Sequence, residues 1–571
     1  MDVHHRASPH QTAPGLSKPR QRVIIPVQRY YMDRDEIARV LGLAREAVRI
    51  VPSAVGGGFG GKLDLSLQPL IASAAWLLDR PVRCVYTRPE SMASTTKRHP
   101  ALVRARIGAD AEGRFTAVDF QADFNTGAYA SWGPTVANRV PVHASGPYVV
   151  PAVRAMGRAI YTNETPAGAF RGFGVPQAVI ATETLLDELA ERLGIDPLEL
   201  RHRNAIRAGD RTATGQVIAA STGLAACLDA LRPRWRQARA AAEAANRADG
   251  VLRRGVGIAA MWYGIGNTSL SNPSTMRVGI DRNARVTLYS GAVDIGQGSN
   301  TIMAQICADA LGVPVDALAL VTGDTDLTPD AGKTSASRQT FVSGAAVKAA
   351  GEDLRRQILA RAGAGAVARI VLDQGRLLVR DGGTAREIDL AALPASNESG
   401  DVLAGHGHFD PPTTPLDDDG QGAPYASYAF AAQMAEIEID VRLGTVKVRR
   451  IIAAHDVGRA INPIQVEGQI HGGVAQGIGL ALMEEFLPGR TENLHDYLIP
   501  TIGDVPAIEC LLIEDPEPLG PYGAKGIGEP ALIPTAPAIL NAIHHAAGIR
   551  LRRVPATPDR VRAALKAAGY E

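Results

Sequence analysis

The sequence predicts an α+β protein made of two mixed domains. In its first half, apolar runs of strand length alternate with segments of helical periodicity, and period-two hairpin patterns follow in both halves. The 571 residues correspond to roughly two to four domains of ordinary size, so a large buried core is expected. We predict a polar tail over residues 1–22, a first domain over residues 23–260 and a second domain over residues 261–571.

The first domain begins with alternating strands and helices. In chain order, the predicted elements are the strand RVIIPV, the helix DEIARVLGL, the strand AVRIVPSAV, the helix SLQPLIASAAWLLD and the strand PVRCVYT. From Ala101 the period becomes two, because ALVRARIG and RFTAVDFQADF flank the turn DAEG as an antiparallel hairpin. Two helices follow, one ending at Gly194 and one running from Leu224 to about Arg253.

The second domain again has strands that lead into glycine loops and helices, but its residues do not repeat those of the first domain. A strand in ARVTLYS leads into the glycine loop DIGQG and the helix TIMAQICADALG, and a later hairpin covers AEIEIDVRLGTVKVRRIIAAHDVG. Residues 365–425 are rich in Gly, Asp and Pro, and we predict a surface excursion there. The uncharged run from Pro530 to Ile549 has membrane-spanning length, but its prolines and histidines favour buried core.

Composition excludes several classes of function. Lys plus Arg is 60 and Asp plus Glu is 59, so the net charge of +1 disfavours nucleic-acid binding. The four cysteines form no CxxC pair, which argues against an iron–sulfur cluster, a thiolate zinc site or a disulfide framework within this chain. The first 22 residues lack the apolar segment of a secretory signal, so we expect a cytoplasmic protein without membrane association.

The glycine loop GGGFGGK (56–62) admits two nucleotide-binding interpretations, both weak. GGGFGG follows a predicted strand and precedes a helix, as in a dinucleotide fingerprint, and a nicotinamide-dependent dehydrogenase is one alternative. That fingerprint requires an acidic residue at the end of the next strand, where this chain has Arg88 and Pro89. A P-loop requires a hydroxyl after the lysine, and this chain has Leu63.

Three further segments share the chemistry of that loop. Backbone N–H groups of glycine-rich turns and helix N-termini converge on anions, and neutral side-chain donors add hydrogen bonds. Such segments are Asp294–Thr301, Lys333–Thr340 and Gly468–Gly479, with the donors Gln297, Ser335, Ser337, Gln469 and Gln476. We predict a large, polar, phosphate-bearing cofactor, against the alternative that the loops are ordinary helix caps and close helix contacts.

Two charged residues stand in otherwise neutral segments. Arg171 lies in GAFRGFGVPQ and Glu529 lies in GAKGIGEPAL. A carboxylate between Gly528 and Pro530, ahead of a long apolar run, would be desolvated, which suits a general base. The alternatives are a capping role for Glu529 and a buried salt bridge for Arg171.

These motifs together resemble the molybdenum hydroxylases, the xanthine dehydrogenase and aldehyde oxidase family, in its molybdopterin-binding subunit. They occur in family order from residue 55 to about residue 550, as GGGFGGK, GAFRGFGVPQ, DIGQGSNT, TSASRQT, NPIQVEGQIHGGVAQGIG, HDYLIPT and GPYGAKGIGEPAL. The resemblance implies a molybdenum–molybdopterin cofactor bound by glycine-rich loops at the interface of two domains, with no protein side chain on the metal. It also implies a nucleotide-extended pterin, the cytosine dinucleotide, as in many bacterial relatives.

The resemblance also implies roles for individual residues. Glu529 would be the general base, Gln297 would lie beside the metal's ligands, and Arg171 would steady negative charge that builds on the substrate. The residues implied to hold the cofactor are Gly58, Phe59, Gly60, Gly296, Gln297, Gly298, Ser335, Ala336, Ser337, Gln469, Gln476 and Gly528. The substrate would be an aldehyde or an N-heterocycle, with water as the source of oxygen.

Three departures from the family pattern qualify that implication. Purine hydroxylases have a glutamate after GGK, where this chain has Leu63, and Asp64 would face the other way on a strand. The Arg171 loop has no cysteine, which argues against the copper partner site of carbon monoxide dehydrogenases. Relatives carry a further N-terminal domain that this sequence does not show. We therefore keep three alternatives open: the chain is a fragment, another chain supplies the domain, or the chain is an inactive cofactor-binding or assembly chain. Iron–sulfur and FAD groups would belong to partner subunits.

Overall fold

The computed structural model describes residues 5–10, 20–248, 250–396 and 399–570. It confirms the predicted α+β class, with 34% helix and 26% strand. The described α-helices are α1 (Tyr30–Leu41), α2 (Gln68–Leu78), α3 (Arg88–Ser94), α4 (Gly133–His143), α5 (Val175–Leu193), α6 (Pro197–Asn204), α7 (Leu224–Asn246), α8 (Ser299–Leu311), α9 (Gly344–Ala362), α10 (Pro463–Leu482), α11 (Thr535–Ala547) and α12 (Pro558–Ala567).

The strands have no common length and range from short edges to long ladders. In chain order, those described are β1 (His5–His10), β2 (Arg20–Ile25), β3 (Val48–Pro52), β4 (Val82–Cys84), β5 (Ala101–Ala109), β6 (Phe115–Gly127), β7 (Ala152–Tyr161), β8 (Leu252–Gly264), β9 (Ser274–Asp281), β10 (Val286–Ser290), β11 (Leu318–Thr322), β12 (Arg369–Asp373), β13 (Arg376–Asp381), β14 (Thr384–Ile388), β15 (Asp401–Phe409), β16 (Tyr428–Asp440), β17 (Val446–Asp456) and β18 (Ala507–Ile513).

The chain forms two compact units, and each unit is assembled from separate stretches of sequence. Unit 1 comprises the described residues of 1–87, 271–412 and 519–522, and unit 2 comprises those of 88–270, 413–518 and 523–571. These units differ from the two continuous domains, 23–260 and 261–571, that the sequence predicted. Continuous boundaries were inferred from local composition, whereas compactness depends on strand pairings and helix contacts between distant segments.

Unit 1 contains three sheets with strand orders β3-β2-β1-β4, β11-β10-β9-β15 and β12-β13-β14. In the first sheet, β2 and β3 are parallel, and helix α1 contacts β3. Ile25, Ile37, Ile50 and Ile71 from these strands and from α1 and α2 form a fully or nearly fully buried cluster. Helix α9 covers β9 and β15 of the second sheet.

Two predictions for unit 1 need correction. Residues 5–10, placed in the polar tail, form β1, which pairs antiparallel with β2 and β4; residues 1–4 and 11–19 of that tail lie outside the described residues. Backbone pairing on both sides stabilises such a strand without an apolar pattern. Residues 365–425, expected as a surface excursion, contain β12 to β15. Their buried apolar positions, such as Leu377 and Val379, are too few per strand to give a clear period.

Unit 2 is built around the sheet β18-β17-β16-β8, and a second sheet has the order β5-β6-β7. Helix α11 packs closely on β8, because a Cβ at Gly255 would lie 1.9 Å from the carbonyl oxygen of Ala542. The apolar run around α11 is buried, as predicted. Within the described ranges, no helix is long and apolar enough to cross a membrane.

A buried ion pair holds the segment before Glu529 to the end of β17. The Nζ atom of Lys525 lies 2.5 Å from Oδ2 of Asp456, and both side chains are 0% exposed. Lys525 also donates to the carbonyl oxygen of Ser221 at 2.9 Å. The N–H groups of Gly223 and Gly458 donate to the Asp456 carboxylate. The loop that carries Glu529 therefore starts from a fixed position within unit 2.

Replacing the buried lysine tests this anchor. We expect Lys525→Met to destabilise unit 2 by about 3–5 kcal/mol, because it leaves the Asp456 carboxylate buried without its cation. The shift of the urea unfolding midpoint is the measurement. As a control, Arg154→Met removes a cation from the exposed pair with Asp119 and should leave the midpoint unchanged. Equal midpoints for the two variants would contradict the anchoring role.

Candidate functional site

Unit 1 brings three of the predicted glycine-rich segments together around one buried glutamine. The N–H of Gly57 donates to the carbonyl oxygen of Ile295 at 3.0 Å, which joins the first loop to the second. Oε1 of Gln28 accepts from the N–H groups of Gly60 and Lys62 at 3.1 and 3.2 Å. Nε2 of Gln28 donates to the carbonyl oxygen of Thr334 at 2.8 Å, which adds the third segment.

Thr334 makes a second link between these segments. Its hydroxyl donates to the carbonyl oxygen of Val293 at 2.8 Å, and it accepts from the Val293 N–H at 3.2 Å and from Nε2 of Gln339 at 2.7 Å. Gln28 and Thr334 are 2% and 6% exposed. The loops are therefore held by neutral, buried hydrogen bonds, which fix backbone directions without adding charge.

The loop Asp294–Gly298 is shaped by its own side chains. The carboxylate of Asp294 accepts from the N–H groups of Gly296 at 2.8 Å and Asn300 at 3.0 Å. The amide of Gln297 turns back on the loop, accepting from the Ile295 N–H at 2.6 Å and donating to the Val293 carbonyl oxygen at 3.2 Å. Helix α8 then begins directly after Gly298, so the loop ends at a helix N-terminus.

Several loop residues adopt backbone conformations that non-glycine residues rarely take. Phe59, Ala336 and Ser337 have φ values of 52°, 53° and 56°. Left-handed residues next to right-handed ones turn successive N–H groups toward one side, which is the geometry of an anion cradle. The Ser335 hydroxyl oxygen is buried, and no hydrogen-bond partner for it is present among the described residues.

In unit 2, the guanidinium of Arg171 hydrogen-bonds to predicted site residues in two distant segments, α10 and the loop before Glu529. Nε donates to the carbonyl oxygen of Gly528 at 2.5 Å, and Nη1 donates to Oε1 of Gln476 at 3.2 Å. Nη2 donates to the carbonyl oxygen of Gln469 at 3.1 Å. Gln469 and Gln476 lie on α10, two turns apart, so Arg171 joins this helix to the residue before Glu529.

Glu529 is half-buried, and its Oε2 atom accepts two described hydrogen bonds. The N–H of Gly172 donates at 3.0 Å, and the hydroxyl of Tyr263 makes a short hydrogen bond to the same oxygen. The Gly172 donor follows directly on Arg171, so the sequence GAFRGFG delivers both a cation and an N–H group to the Glu529 segment. The carboxylate is thus held from two sides.

The backbone after Glu529 is fixed by a buried side-chain network. Residues Pro530–Leu532 form a short 3₁₀ turn that packs against α10. Nε2 of Gln433 donates to the carbonyl oxygen of Ala531 at 2.9 Å, and the hydroxyl of Thr535 donates to Oε1 of Gln433 at 2.6 Å. At Gly473, a Cβ would lie 2.4 Å from the Cβ of Ala531, so helix and turn approach to backbone distance.

Burial and neighbouring charge set the electrostatics around Arg171. Burial lowers the pKa of Arg171 to about 10, the Glu529 carboxylate offsets part of this effect, and Arg98 adds to it. Arg98 donates to the carbonyl oxygen of Arg171 at 3.0 Å and stacks 4.2 Å from the Phe170 ring centroid. Burial, reinforced by the Arg171 charge, lowers the pKa of His455 to about 3, so His455 is neutral.

The structure places the predicted residues in two groups. Unit 1 holds Gly58, Phe59, Gly60, Gly296, Gln297, Gly298, Ser335, Ala336 and Ser337, and unit 2 holds Arg171, Gln469, Gln476, Gly528 and Glu529. Leu63 is 2% exposed in a turn, and Asp64 follows in the same irregular segment, so the prediction that Asp64 lies on a strand is wrong.

Sequence reasoning missed four side chains that organise these groups. They are Gln28, Asp294, Thr334 and Tyr263. Asp294 had a usable signal, since an aspartate two residues before a glycine commonly accepts its N–H in an Asx turn. For Gln28 and Tyr263 no local signal exists, because their partners lie from 32 to 306 residues away along the chain and only the tertiary fold brings them near.

A substitution at Gln28 tests the organisation of the unit 1 loops. We expect Gln28→Leu to expose the Gly60 and Lys62 amides to faster hydrogen exchange, because each lost buried partner costs about 1–3 kcal/mol. Gln28→Glu keeps the acceptor and removes the donor to Thr334, so it should slow exchange at Gly60 relative to the leucine variant. Unchanged exchange in Gln28→Leu would show that the glutamine does not hold these loops.

Comparisons with known proteins give the chain its family. Two molybdopterin cofactor-binding domain models match residues 14–205 and 230–506. The xanthine dehydrogenase molybdenum-binding subunit of Escherichia coli O157:H7 is 33% identical over 94% of this chain and 72% of that protein. The aldehyde oxidoreductase of Desulfovibrio gigas superposes with a TM-score of 0.89 and 29% identity, over 99% of this chain and 59% of that one.

A third relative has a different named substrate. Quinoline 2-oxidoreductase from Pseudomonas putida 86 superposes with a TM-score of 0.85 and 28% identity, over 99% of this chain and 74% of that one. The matched relatives are thus longer than this chain, which spans between 59% and 74% of their lengths. The chain belongs to the molybdenum-binding subunits of the xanthine dehydrogenase and aldehyde oxidoreductase family.

Proposed function

We propose that the chain is the catalytic, molybdopterin-binding subunit of a hydroxylase that oxidises an aldehyde or an N-heterocycle. The observation that carries this proposal is the Glu529 carboxylate, held by Gly172 and Tyr263 in the same unit as the buried cation of Arg171. A fixed carboxylate and a fixed cation are the two protein groups needed to move a proton and to steady negative charge on a substrate.

The loops of unit 1 fit a phosphate-bearing pterin. The buried hydroxyl oxygen of Ser335, which has no hydrogen-bond partner in the described part of the chain, and the left-handed residues Phe59, Ala336 and Ser337 provide a neutral donor and a backbone cradle. When bound, the molybdenum cofactor supplies the two-electron redox chemistry, with its pterin in the cytosine dinucleotide form.

The protein's own part of the reaction is proton transfer and charge stabilisation. Glu529 accepts the proton that is released when the oxygen of water adds to the substrate carbon. Arg171 faces the charge that develops on the substrate, and its carbonyl and amide partners keep the guanidinium from rotating away. The amide of Gln297 bonds to its own loop, so Gln297 would hold the cofactor through a backbone that this bond makes rigid.

The substrate class follows from what the chain lacks relative to purine hydroxylases. Leu63 is buried and apolar at the position where those enzymes have a glutamate, so xanthine itself is not the substrate we propose. Aldehydes and N-heterocycles such as quinoline are the substrates named for the similar solved structures. Electrons would leave through separate iron–sulfur and FAD subunits.

A nicotinamide-dependent dehydrogenase receives no support from the fold around GGGFGG. In a dinucleotide-binding unit, the strands on either side of the first helix are neighbours in one parallel sheet. Here β3 and β4, which flank α2, lie at opposite ends of the order β3-β2-β1-β4.

Glutamine at position 529 tests the general base. We expect Glu529→Gln to lower kcat by roughly 10²–10⁴-fold, because the amide cannot accept the proton, while molybdenum per chain stays at the wild-type level. The assay uses the complex purified with its partner subunits, an aldehyde or quinoline, and an artificial electron acceptor. Glu492→Gln, at an exposed glutamate of the same unit, should retain full activity. Wild-type kcat in Glu529→Gln would rule out Glu529 as the base.

Arg171→Lys distinguishes the effect of the positive charge at position 171 from the effect of its hydrogen-bonded orientation. We expect Arg171→Lys to lower kcat/KM by about 10–100-fold, because lysine keeps the charge but cannot donate in a fixed fork to Gly528, Gln469 and Gln476. Molybdenum content and KM for the electron acceptor should not change. A variant with wild-type kcat/KM would show that charge alone suffices and that the hydrogen-bonded orientation is irrelevant.

A further inference from the structure

Tyr263, at the end of β8, contacts Glu529 but has no part in the proton transfer described above. Its side chain is 0% exposed, and its hydroxyl donates to Oε2 of Glu529, the oxygen that also accepts from the Gly172 N–H. Two donors on one carboxylate oxygen fix the side chain's torsion angles. Both hydrogen bonds are stronger to a charged carboxylate oxygen than to the carbonyl oxygen of a neutral carboxyl group.

The phenol ring of Tyr263 rests against a buried cation. The guanidinium carbon of Arg139 lies 4.7 Å from the Tyr263 ring centroid and 5.2 Å from that of Tyr425. Arg139 is 2% exposed and donates to the carbonyl oxygens of Gly264 and Gly266, which places it directly behind the end of β8. A positive charge on this side polarises the O–H bond toward the acceptor and strengthens the hydrogen bond to Glu529.

The hydroxyl of Tyr263 remains a donor at every pH of interest. Burial raises the pKa of Tyr263 well above its ordinary value; the Arg139 charge opposes this effect and the Glu529 carboxylate adds to it. The phenol therefore stays protonated, and the hydrogen bond to Glu529 does not depend on a second titration.

Several charged or titratable groups act on Glu529 from the surrounding elements. Arg98, Arg139 and Arg171 act through their positive charges, from the segment after α3, from α4 and from the loop before α5. Tyr425 is a second nearby phenol, and its hydroxyl hydrogen-bonds to the Thr268 hydroxyl at 2.6 Å. The Tyr263 hydroxyl bonds directly to the Glu529 carboxylate, whereas the Tyr425 hydroxyl bonds to Thr268.

We propose that Tyr263 is a positioning residue that holds Glu529 in one rotamer and donates a hydrogen bond to its carboxylate during turnover. This proposal rests on the proposed role of Glu529 as the general base. It assigns to Tyr263 a contribution that the sequence motifs do not indicate, because Tyr263 precedes Glu529 by 266 residues and lies outside the glycine-rich segments.

The pH profile of turnover tests the proposal. We expect Tyr263→Phe to move the acid limb of kcat/KM to higher pH by about one unit, since a donor to the charged form is lost. At alkaline pH, kcat should recover most of its wild-type value, and KM should change little. Tyr425→Phe is the matched control, because it removes a buried hydroxyl beside the same arginine without touching Glu529, and its acid limb should stay in place.

A second measurement reports on Glu529 without turnover. A water-soluble carbodiimide with a glycine ester labels protonated carboxyl groups, and mass spectrometry of the peptide containing Glu529 gives the labelled fraction against pH in the purified holo complex. Tyr263→Phe should move the midpoint of labelling upward by about one unit relative to wild type and Tyr425→Phe.

The outcomes separate this proposal from the proposed function. An unchanged acid limb and an unchanged labelling midpoint in Tyr263→Phe would overturn the role of Tyr263, even if Glu529→Gln is inactive. Wild-type turnover in Glu529→Gln would overturn the role of Glu529, while a shifted labelling midpoint would still support the hydrogen bond that Tyr263 makes. Equal shifts in Tyr263→Phe and Tyr425→Phe would attribute the effect to general loosening around Arg139 and would overturn the specific role.

Discussion

The buried guanidinium of Arg171 is the constraint on which the arrangement in unit 2 depends. A cation that is 5% exposed must have its donors satisfied, because an unmet buried donor or charge costs far more than a surface one. The acceptors come from α10 and from Gly528. Satisfying one side chain therefore fixes the distance between this helix and the residue next to Glu529, and the Lys525–Asp456 pair fixes the other end of the same loop.

In unit 1, uncharged side chains hold separate loops together. Gln28 and Thr334 join three loops through neutral amide and hydroxyl hydrogen bonds, and the Asp294 carboxylate shapes one of these loops from within. Left-handed residues in two of these loops carry a conformational cost, which such buried bonds offset. The bonds that join the three loops of unit 1 are thus neutral, whereas the contacts around Glu529 in unit 2 include the Arg171 guanidinium.

The sequence predicted those parts of the molecule that local patterns encode. Helix α5 ends where Gly194 follows it, the β5–β6 hairpin closes on DAEG, and the glycine loops occur where the motifs place them. It did not predict β1, whose partners lie on both sides, or the division into discontinuous units. Nor could it find Gln28 or Tyr263, because each acts on residues that only the tertiary fold brings near. Long-range hydrogen bonds of single polar residues leave no periodic trace.

The most direct test of the account is the molybdenum content of the chain, measured per polypeptide by elemental analysis after purification from its native host with co-purifying subunits. We expect close to one molybdenum per chain, together with iron and flavin in the partner subunits. A complex that contains those partners but no molybdenum would contradict it, and would mean that the glycine loops and the Glu529 segment retain the family's geometry without its cofactor.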